Sequence, residues 1–449
     1  MRPLLLIGFI ALYIPVSLPA QEVPARLSLE EALRLAQRFN PQHRQVTAER
    51  DLAAAQRRQG IGGLLPSLSA SFGTGGSDSR TRSAEDHFGE IQEREEYLRS
   101  RGSSTSQGLS ASLTLFDGGA NLNRIRESTL NAEAVEARIT AHYMQLRADV
   151  ATRFFVALQA EQAVAVEEQL LASAREQFEM TERRFEIGSA RREDLLGAEA
   201  QVVNQEQQLE QARNNAEKMR LQLLRELGVD QEIGDFELVD ERIEIFDPSS
   251  LDEEELIAEA LRVSPRILER EAALRSRKHG VSTARGARLP RITVSGGMSR
   301  STTGREFDAL FDLSPINRSF NFNISASLPL FTGFQNAYNI ASAEVQLTNA
   351  TEQLRAERIA LETEIKTALV DLRNAYHSHQ RAERSLRLSQ ERLELTEERY
   401  RLGGTVSFLD LQNAIDGAAR AERQAIDARF AFVNALVTLE AKVGREVRP

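Results

Sequence analysis

The stretch GLSASLTLFDGG, residues Gly108–Gly119, changes character partway along. Leu109, Ala111, Leu113 and Leu115 alternate with Ser110, Ser112 and Thr114. That is the period of a strand with one apolar and one hydroxylic face. The stretch closes on Phe116-Asp117-Gly118-Gly119, and a proline-free run rich in Ala, Glu, Gln, Arg and Leu follows over 119–187. Such a composition favours helix throughout. A strand therefore hands over directly to a very long helix. The same junction returns as Leu330-Phe331-Thr332-Gly333, ahead of a second proline-free run over 334–402.

Moving outward, the other landmarks also come in pairs. AQRFNP (Ala36–Pro41) is echoed by ALRVSP (Ala260–Pro265), and Leu65-Pro66 by Leu289-Pro290. Arg184-Phe185-Glu186-Ile187-Gly188 is echoed by Arg399-Tyr400-Arg401-Leu402-Gly403. Landmarks in the same order, twice over, indicate tandem duplication of a whole architectural unit, with a period too long for a solenoid. The expected plan is a signal peptide at 1–20, a first repeat at 21–232, a linker at 233–250 and a second repeat at 251–449.

Each long run should reach on the order of 100 Å at about 1.5 Å per residue, longer than a compact core needs. Apolar residues recur every heptad in two series per copy. The first copy holds Leu171, Phe178 and Phe185, and also Val166, Met180 and Ile187, with Ser173 as the polar member. The second holds Leu386, Leu393 and Tyr400, and also Leu388, Leu395 and Leu402. A two-stranded coiled coil needs one seam. Two seams on nearly opposite sides predict a neighbour on each flank, hence a sheet or tube of helices. The runs end at Gly188 and Gly403-Gly404, where glycine accepts the left-handed turn of a hairpin tip. Helices restart near Arg192–Asp194 and Phe408–Asp410 and run to about Leu227 and Val443. Shorter helices over 28–60 and 251–286 open the copies, interrupted at Asn40-Pro41 and Ser264-Pro265.

Four segments alternate like Gly108–Phe116: that one, Pro66–Gly73, Pro290–Met298 and Asn321–Phe331. Strands of about nine residues with one apolar and one small polar face suit a membrane β-barrel. Lipid tolerates no open sheet edge, and four strands close no barrel, so strands must be pooled between chains: eight from a dimer, twelve from a trimer. The polar, Ser/Arg/Glu-rich segments 75–107 and 300–320 are expected as external loops, the first partly disordered.

Composition narrows the function. Arg2, the apolar run Leu4–Pro15 and Ser17–Ala20 form a secretory leader. No later apolar run is long enough for a membrane-spanning helix. With no cysteine, the chain has no disulfide, thiolate site or acylated N-terminal cysteine, and a net charge of −10 argues against nucleic acid. An enzyme is the competing class, yet no HExxH, nucleophile elbow or phosphate loop occurs. His377 and His379 diverge around a helix and are expected on a solvated polar face, not as a metal pair. No cofactor is expected. A periplasmic coiled-coil adaptor or scaffold would share the hairpins but would need neither four amphipathic strands nor a duplication.

The ordered set of landmarks resembles the TolC-like outer-membrane efflux proteins, or outer membrane factors, over essentially the whole mature chain. The carriers are the duplication, Asn40-Pro41 and Ser264-Pro265, the Leu-Phe-x-Gly exits at 115–118 and 330–333, and the tips Arg184-Phe185-x-x-Gly188 and Arg399-Tyr400-x-x-Gly403. The resemblance implies an α+β membrane protein. A homotrimer would build a twelve-stranded outer-membrane β-barrel, four strands per chain, continuous with a periplasmic α-helical barrel. It implies a passive exit duct for efflux or type I secretion. The helical tips, with Gly188, Gly403, Gly404, Arg184 and Arg399, would dock a periplasmic membrane-fusion adaptor, itself bound to an inner-membrane pump of RND or ABC type. It places a closed gate at the tips, with Asp410 at the first constriction position, Asn413 at the second and Asp194 as the first-copy counterpart. A ring of three Asp410 carboxylates should have a raised pKa and attract cations. Some members latch this region with a second-tip arginine. Val406 stands there in this chain, so Arg191 and Arg192 of the first tip are the candidates to replace it.

Overall fold

The computed structural model describes residues 25–85, 91–229, 236–240, 243–305, 308–314, 317–401 and 406–448. The expected leader, Leu402 and both glycines of the second tip, Gly403 and Gly404, lie outside them. Element order repeats. A two-residue strand β1 (Arg26–Leu27) precedes α1 (Leu29–Phe39), α2 (Pro41–Gly62), β2 (Ser67–Glu85), β3 (Ile91–Asp117), α3 (Ala120–Glu186) and α4 (Arg192–Leu227). A short β4 (Glu237–Leu238) then precedes α5 (Glu253–Val263), α6 (Pro265–Gly286), β5 (Arg291–Arg305), β6 (Asn317–Ser327), α7 (Gln335–Arg401) and α8 (Phe408–Val443). Corresponding helices match in length: 11 residues for α1 and α5, 22 for α2 and α6, 67 for α3 and α7, and 36 for α4 and α8. The two prolines expected to interrupt the opening helices stand as the first residues of α2 and α6.

The chain divides into two compact units that interleave the halves of the sequence. The first comprises 1–45, 142–260 and 363–449. Its core is built by the middle of α3, the ends of α4 and α8, and α1, with Phe154, Phe155, Leu223, Leu227 and Phe430 fully or almost fully buried. β1 and β4 pair in parallel at its margin, Leu27 opposite Leu238. α1 is tied on by the Ser28–Glu31 capping box, and the Asn40 side chain donates to the Glu226 carbonyl at 2.7 Å. Neither this core nor the β1–β4 pair was foreseen, because two-residue strands carry no periodicity.

The second unit comprises 46–141 and 261–362. It holds one antiparallel sheet in the order β2-β3-β5-β6. Its register sorts the side chains cleanly. One face carries Leu68, Ala70 and Phe72, then Leu109, Ala111 and Leu113, then Val294 and Met298, then Phe320, Phe322 and Ile324. The other carries Ser67, Ser69, Ser71, Ser110, Ser112, Ser295, Gly297, Ser299, Ser319, Asn321, Asn323 and Ser325. The apolar face is uncovered: Leu68 is 71% exposed and Phe320 78%.

Two expectations need correction. The described residues of 75–107 are strand and not loop, as are 300–305 and 317–320 of the other expected loop, in β5 and β6. β2 and β3 are long strands, and the ladder pairs Thr74 with Thr105, Asp78 with Arg101 and Arg80 with Arg99. Alternation continues there in polar residues, with Asp78 ion-paired to Arg99 and Arg101, which an apolar count overlooks. The fourth strand stops at Ser327, short of the expected Phe331, since Pro329 offers no N–H to a ladder. At the expected Leu-Phe-x-Gly exit of the first copy, Gly118 has φ +72, and a Cβ there would overlap the Gly286 backbone at the end of α6. That glycine is demanded twice, by conformation and by space.

Candidate functional site

The tips of the first unit are built by helix stop and start signals. α3 ends in a turn closed by two nested bonds: Gly188 N–H donates to the Phe185 carbonyl at 2.9 Å, and Ser189 N–H to the Arg184 carbonyl at 2.8 Å. Gly188 has φ +75 with open space around it, so the turn alone requires glycine. α4 opens with Asp194 at its third position, where Oδ2 accepts from the Arg191 N–H at 3.2 Å.

The second tip opens α8 with a full capping box. Ser407 Oγ accepts from the Asp410 N–H at 3.2 Å, while Asp410 Oδ2 accepts from the Ser407 N–H at 3.0 Å and its hydroxyl at 2.7 Å. These bonds hold the Asp410 carboxyl below its ordinary pKa, with Arg392 adding a smaller attraction. In the single chain the direction is thus opposite to the raised value expected for a ring of carboxylates, because Ser407 stabilises the charged form. Asp410 and Asn413 are both exposed, one turn apart on α8. The start of α4 lies beside that of α8, since a Cβ at Gly197 would touch the Phe408 ring at 3.7 Å. Asp194 and Asp410 therefore stand at neighbouring helix starts.

The arginines divide. Arg399 is exposed at the end of α7. Arg184 sits over the Tyr400 ring, 4.6 Å from its centroid, and links the ends of α3 and α7. Arg191 and Arg192, the expected substitutes for a latch, make no ion pair among the described residues. The Arg184–Tyr400 contact was not expected: both residues were named in the tip motifs, but nothing in the sequence pairs one tip with the other. Close by, Glu397 of α7 has its pKa raised by burial and by Glu176 of α3 and Glu394.

Behind the tips, a cavity of about 500 Å³ between α3, α4 and α8 is lined by amides, among them Gln201, Gln205, Gln208 and Gln412. At its edge Glu167 is almost completely buried. Gln205 donates to it at 2.5 Å and Arg423 pairs with it at 3.1 Å, so one carboxylate joins three helices. His377 is exposed as expected, but His379 is tucked in beside Glu383 at 3.6 Å, its side chain only 13% exposed.

None of these groups is set out as nucleophile, base or metal ligand; they cap, pair and hold helices. The comparisons agree. The sequence model of the family described as outer membrane efflux protein matches residues 32–229 and again 256–445. The alkaline protease secretion protein AprF of Pseudomonas aeruginosa is 24% identical over 428 residues, spanning 93% of this chain and 84% of that protein. The outer membrane protein TolC of Vibrio cholerae is 21% identical over 431 residues, spanning 93% and 90%. The crystal structure of the Campylobacter jejuni CmeC outer membrane channel aligns at TM-score 0.75 and 20% identity over 94% of this chain and 87% of that one. With both halves matched almost end to end, this chain belongs to the outer membrane efflux protein family, an outer-membrane transport family and not an enzyme family.

Proposed function

We propose that the chain is the exit duct of a tripartite efflux or type I secretion system, a passive conduit from a periplasmic adaptor and inner-membrane pump to the outside. The observation that carries this is the sheet. Its apolar face is bare, its other face is Ser, Gly and Asn, and β2 and β6 each leave an edge unpaired among the described residues. Water cannot favour the first face and lipid cannot tolerate the edges. A ring of copies, each edge pairing with the next chain, meets both demands. An adaptor or scaffold would leave this sheet without a purpose.

Three chains would supply twelve strands, and the tandem duplication supports a closed ring. α6 is ion-paired on one flank to α3 (Arg275–Glu133) and on the other to α7 (Arg358–Glu271 and Arg285–Glu344). Its counterpart α2 pairs with α3 (Arg50–Glu136 and Arg138–Glu49) and leaves Leu52 and Ile61 exposed. By the internal symmetry, the other flank of α2 belongs against α7 of the next copy, where Val345 and Ile359 are exposed. In the first unit, Leu388 and Leu395 of the second heptad seam are likewise bare.

The hairpin tips, including Gly188, Arg184 and Arg399, are the adaptor-docking end. Asp410 and Asn413, with Asp194 beside them, line the constriction. Three capped carboxylates brought together would repel one another and attract cations, against the pull of Ser407. The test is the mass of the detergent-extracted particle. Three chains, retained in outer-membrane fractions after a salt wash, is the expected result. A single chain released by salt would contradict it.

A further inference from the structure

The helices all join the sheet at one end: α2 enters β2, β3 leaves into α3, α6 enters β5, and β6 leads on to α7. In the duct proposed above, the opposite end of the sheet is the external one. There the apolar band stops at a single cross-strand row, Phe72, Gln107, Arg300 and Arg318, all on the apolar face. The row beneath it is Ala70, Leu109, Met298 and Phe320. Two guanidinium groups thus stand side by side at the edge of the membrane band. Arg300 donates to Gln107 Oε1 at 2.6 Å, and neither arginine has a carboxylate partner among the described residues.

Above that row, the segment after β5 folds back onto the same face. Ala309 N–H donates to Ser103 Oγ at 3.0 Å, Thr105 Oγ1 donates to the Ala309 carbonyl at 2.7 Å, and Phe311 N–H donates to Thr105 Oγ1 at 3.1 Å. Ser103, Thr105 and Thr302 are buried beneath it. The Asp312 carboxylate accepts from the Ser314 N–H at 2.9 Å. So held, Phe311 takes φ +65, a left-handed backbone that a bulky residue rarely adopts. Phe311 and Leu313 are 70% and 61% exposed. They face Phe72, Leu109 and Met298 across a groove of about 610 Å³, with Arg300 at its wall.

We propose that this groove is a binding site for a phosphorylated lipid of the outer leaflet, the chemistry of lipid A. An acyl chain would lie between Phe311 and Leu313 on one side and Phe72, Leu109 and Met298 on the other. A headgroup phosphate would sit on Arg300 and Arg318. The inference rests on the barrel proposed above. Apolar walls continuous with the membrane band, ending at unpaired guanidiniums, match a molecule that is hydrocarbon below and anionic above. Arginine is the side chain suited to phosphate at such a boundary, because its fork bonds two oxygens at once. A water-soluble anion would have no use for the hydrocarbon wall.

The test is native mass spectrometry of the detergent-purified full chain, titrated with lipid A, with dephosphorylated lipid A and with inorganic phosphate. Three proteins are compared: the unaltered chain, the Arg300→Gln/Arg318→Gln double variant and the Phe311→Ser/Leu313→Ser double variant. The unaltered chain should bind lipid A at least tenfold more tightly than either variant, and the arginine variant should no longer prefer the phosphorylated form. Equal affinity for the two lipids, equal affinity across the three proteins, or inorganic phosphate competing as well as lipid A would each overturn the site. All three are also inserted into planar bilayers. Channels with unchanged lipid binding reject this inference alone, whereas no channel from the unaltered chain rejects the barrel beneath it.

Discussion

Asp410 carries two duties that substitution can separate. Its carboxylate caps α8 through Ser407, and in the constriction proposed above it would also face its counterparts from the other chains. Asp410→Ala should raise single-channel conductance and weaken block by multivalent cations. Ser407→Ala removes the cap but keeps the charge, and should leave both unchanged while lowering the thermal midpoint slightly. Equal conductance gains in the two variants would attribute the effect to a frayed helix. Glu397 gives the tips a pH dependence of definite sign. Its pKa is raised by burial and by Glu176 and Glu394, so the packed state takes up its proton more readily than the open one. Packing of α3 against α7 is then firmer in mild acid, and that increment fades as pH rises through the raised value. Asp410, held low, contributes above the ordinary aspartate range and loses that contribution only in stronger acid. Hydrogen exchange at the end of α3 should slow as the pH falls toward the ordinary glutamate range, beyond the intrinsic chemical trend, and Glu397→Gln should flatten the excess. An identical excess in the variant would assign it elsewhere. The capping carboxylates were legible and Glu397 was not. Asp410 and Asp194 stood out as first-turn acids, but Glu397 lies in a run of glutamates where only the folded spacing picks one out.

Among the elements, the helices were the most legible part, since two proline-free runs between glycines leave few alternatives. Observed ends at Glu186 and Arg401 fall within a residue of those expected. The strands were legible where apolar and serine residues alternate and illegible where polar residues alternate with polar, which hid the outer halves of β2 and β3. The Glu167–Gln205–Arg423 cluster was invisible, because its members sit on three helices far apart in sequence. Its energetic consequence is asymmetric. Arg423→Ala leaves a buried carboxylate with one amide partner and should cost about 3 kcal/mol, the low end for breaking a buried pair because Arg423 is partly exposed. Adding Glu167→Gln should recover most of the loss. Thermal unfolding in detergent checks both, and a double variant no better than the single one would mean that Arg423 acts by packing alone.

At the scale of the whole molecule, each chain presents an unfinished surface: two strand edges, an apolar sheet face, a bare flank on α2 and a bare heptad seam. The internal repeat says where a flank goes. Arg275 stands as far into α6 as Asp51 into α2, and Glu133 as far into α3 as Thr348 into α7. The Arg275–Glu133 pair within one chain should therefore be matched by Asp51 facing Thr348 of the next. In a chain with no native cysteine, Asp51→Cys/Thr348→Cys should yield a covalent three-chain ladder with a short bismaleimide. Monomer alone would refute that packing. The duct itself is tested most directly by planar-bilayer recording of the purified, unaltered protein. Small, cation-selective, long-lived steps are the result a closed-tip conduit predicts. A preparation that inserts no channel, or one whose steps are large and indifferent to ion charge, would contradict it.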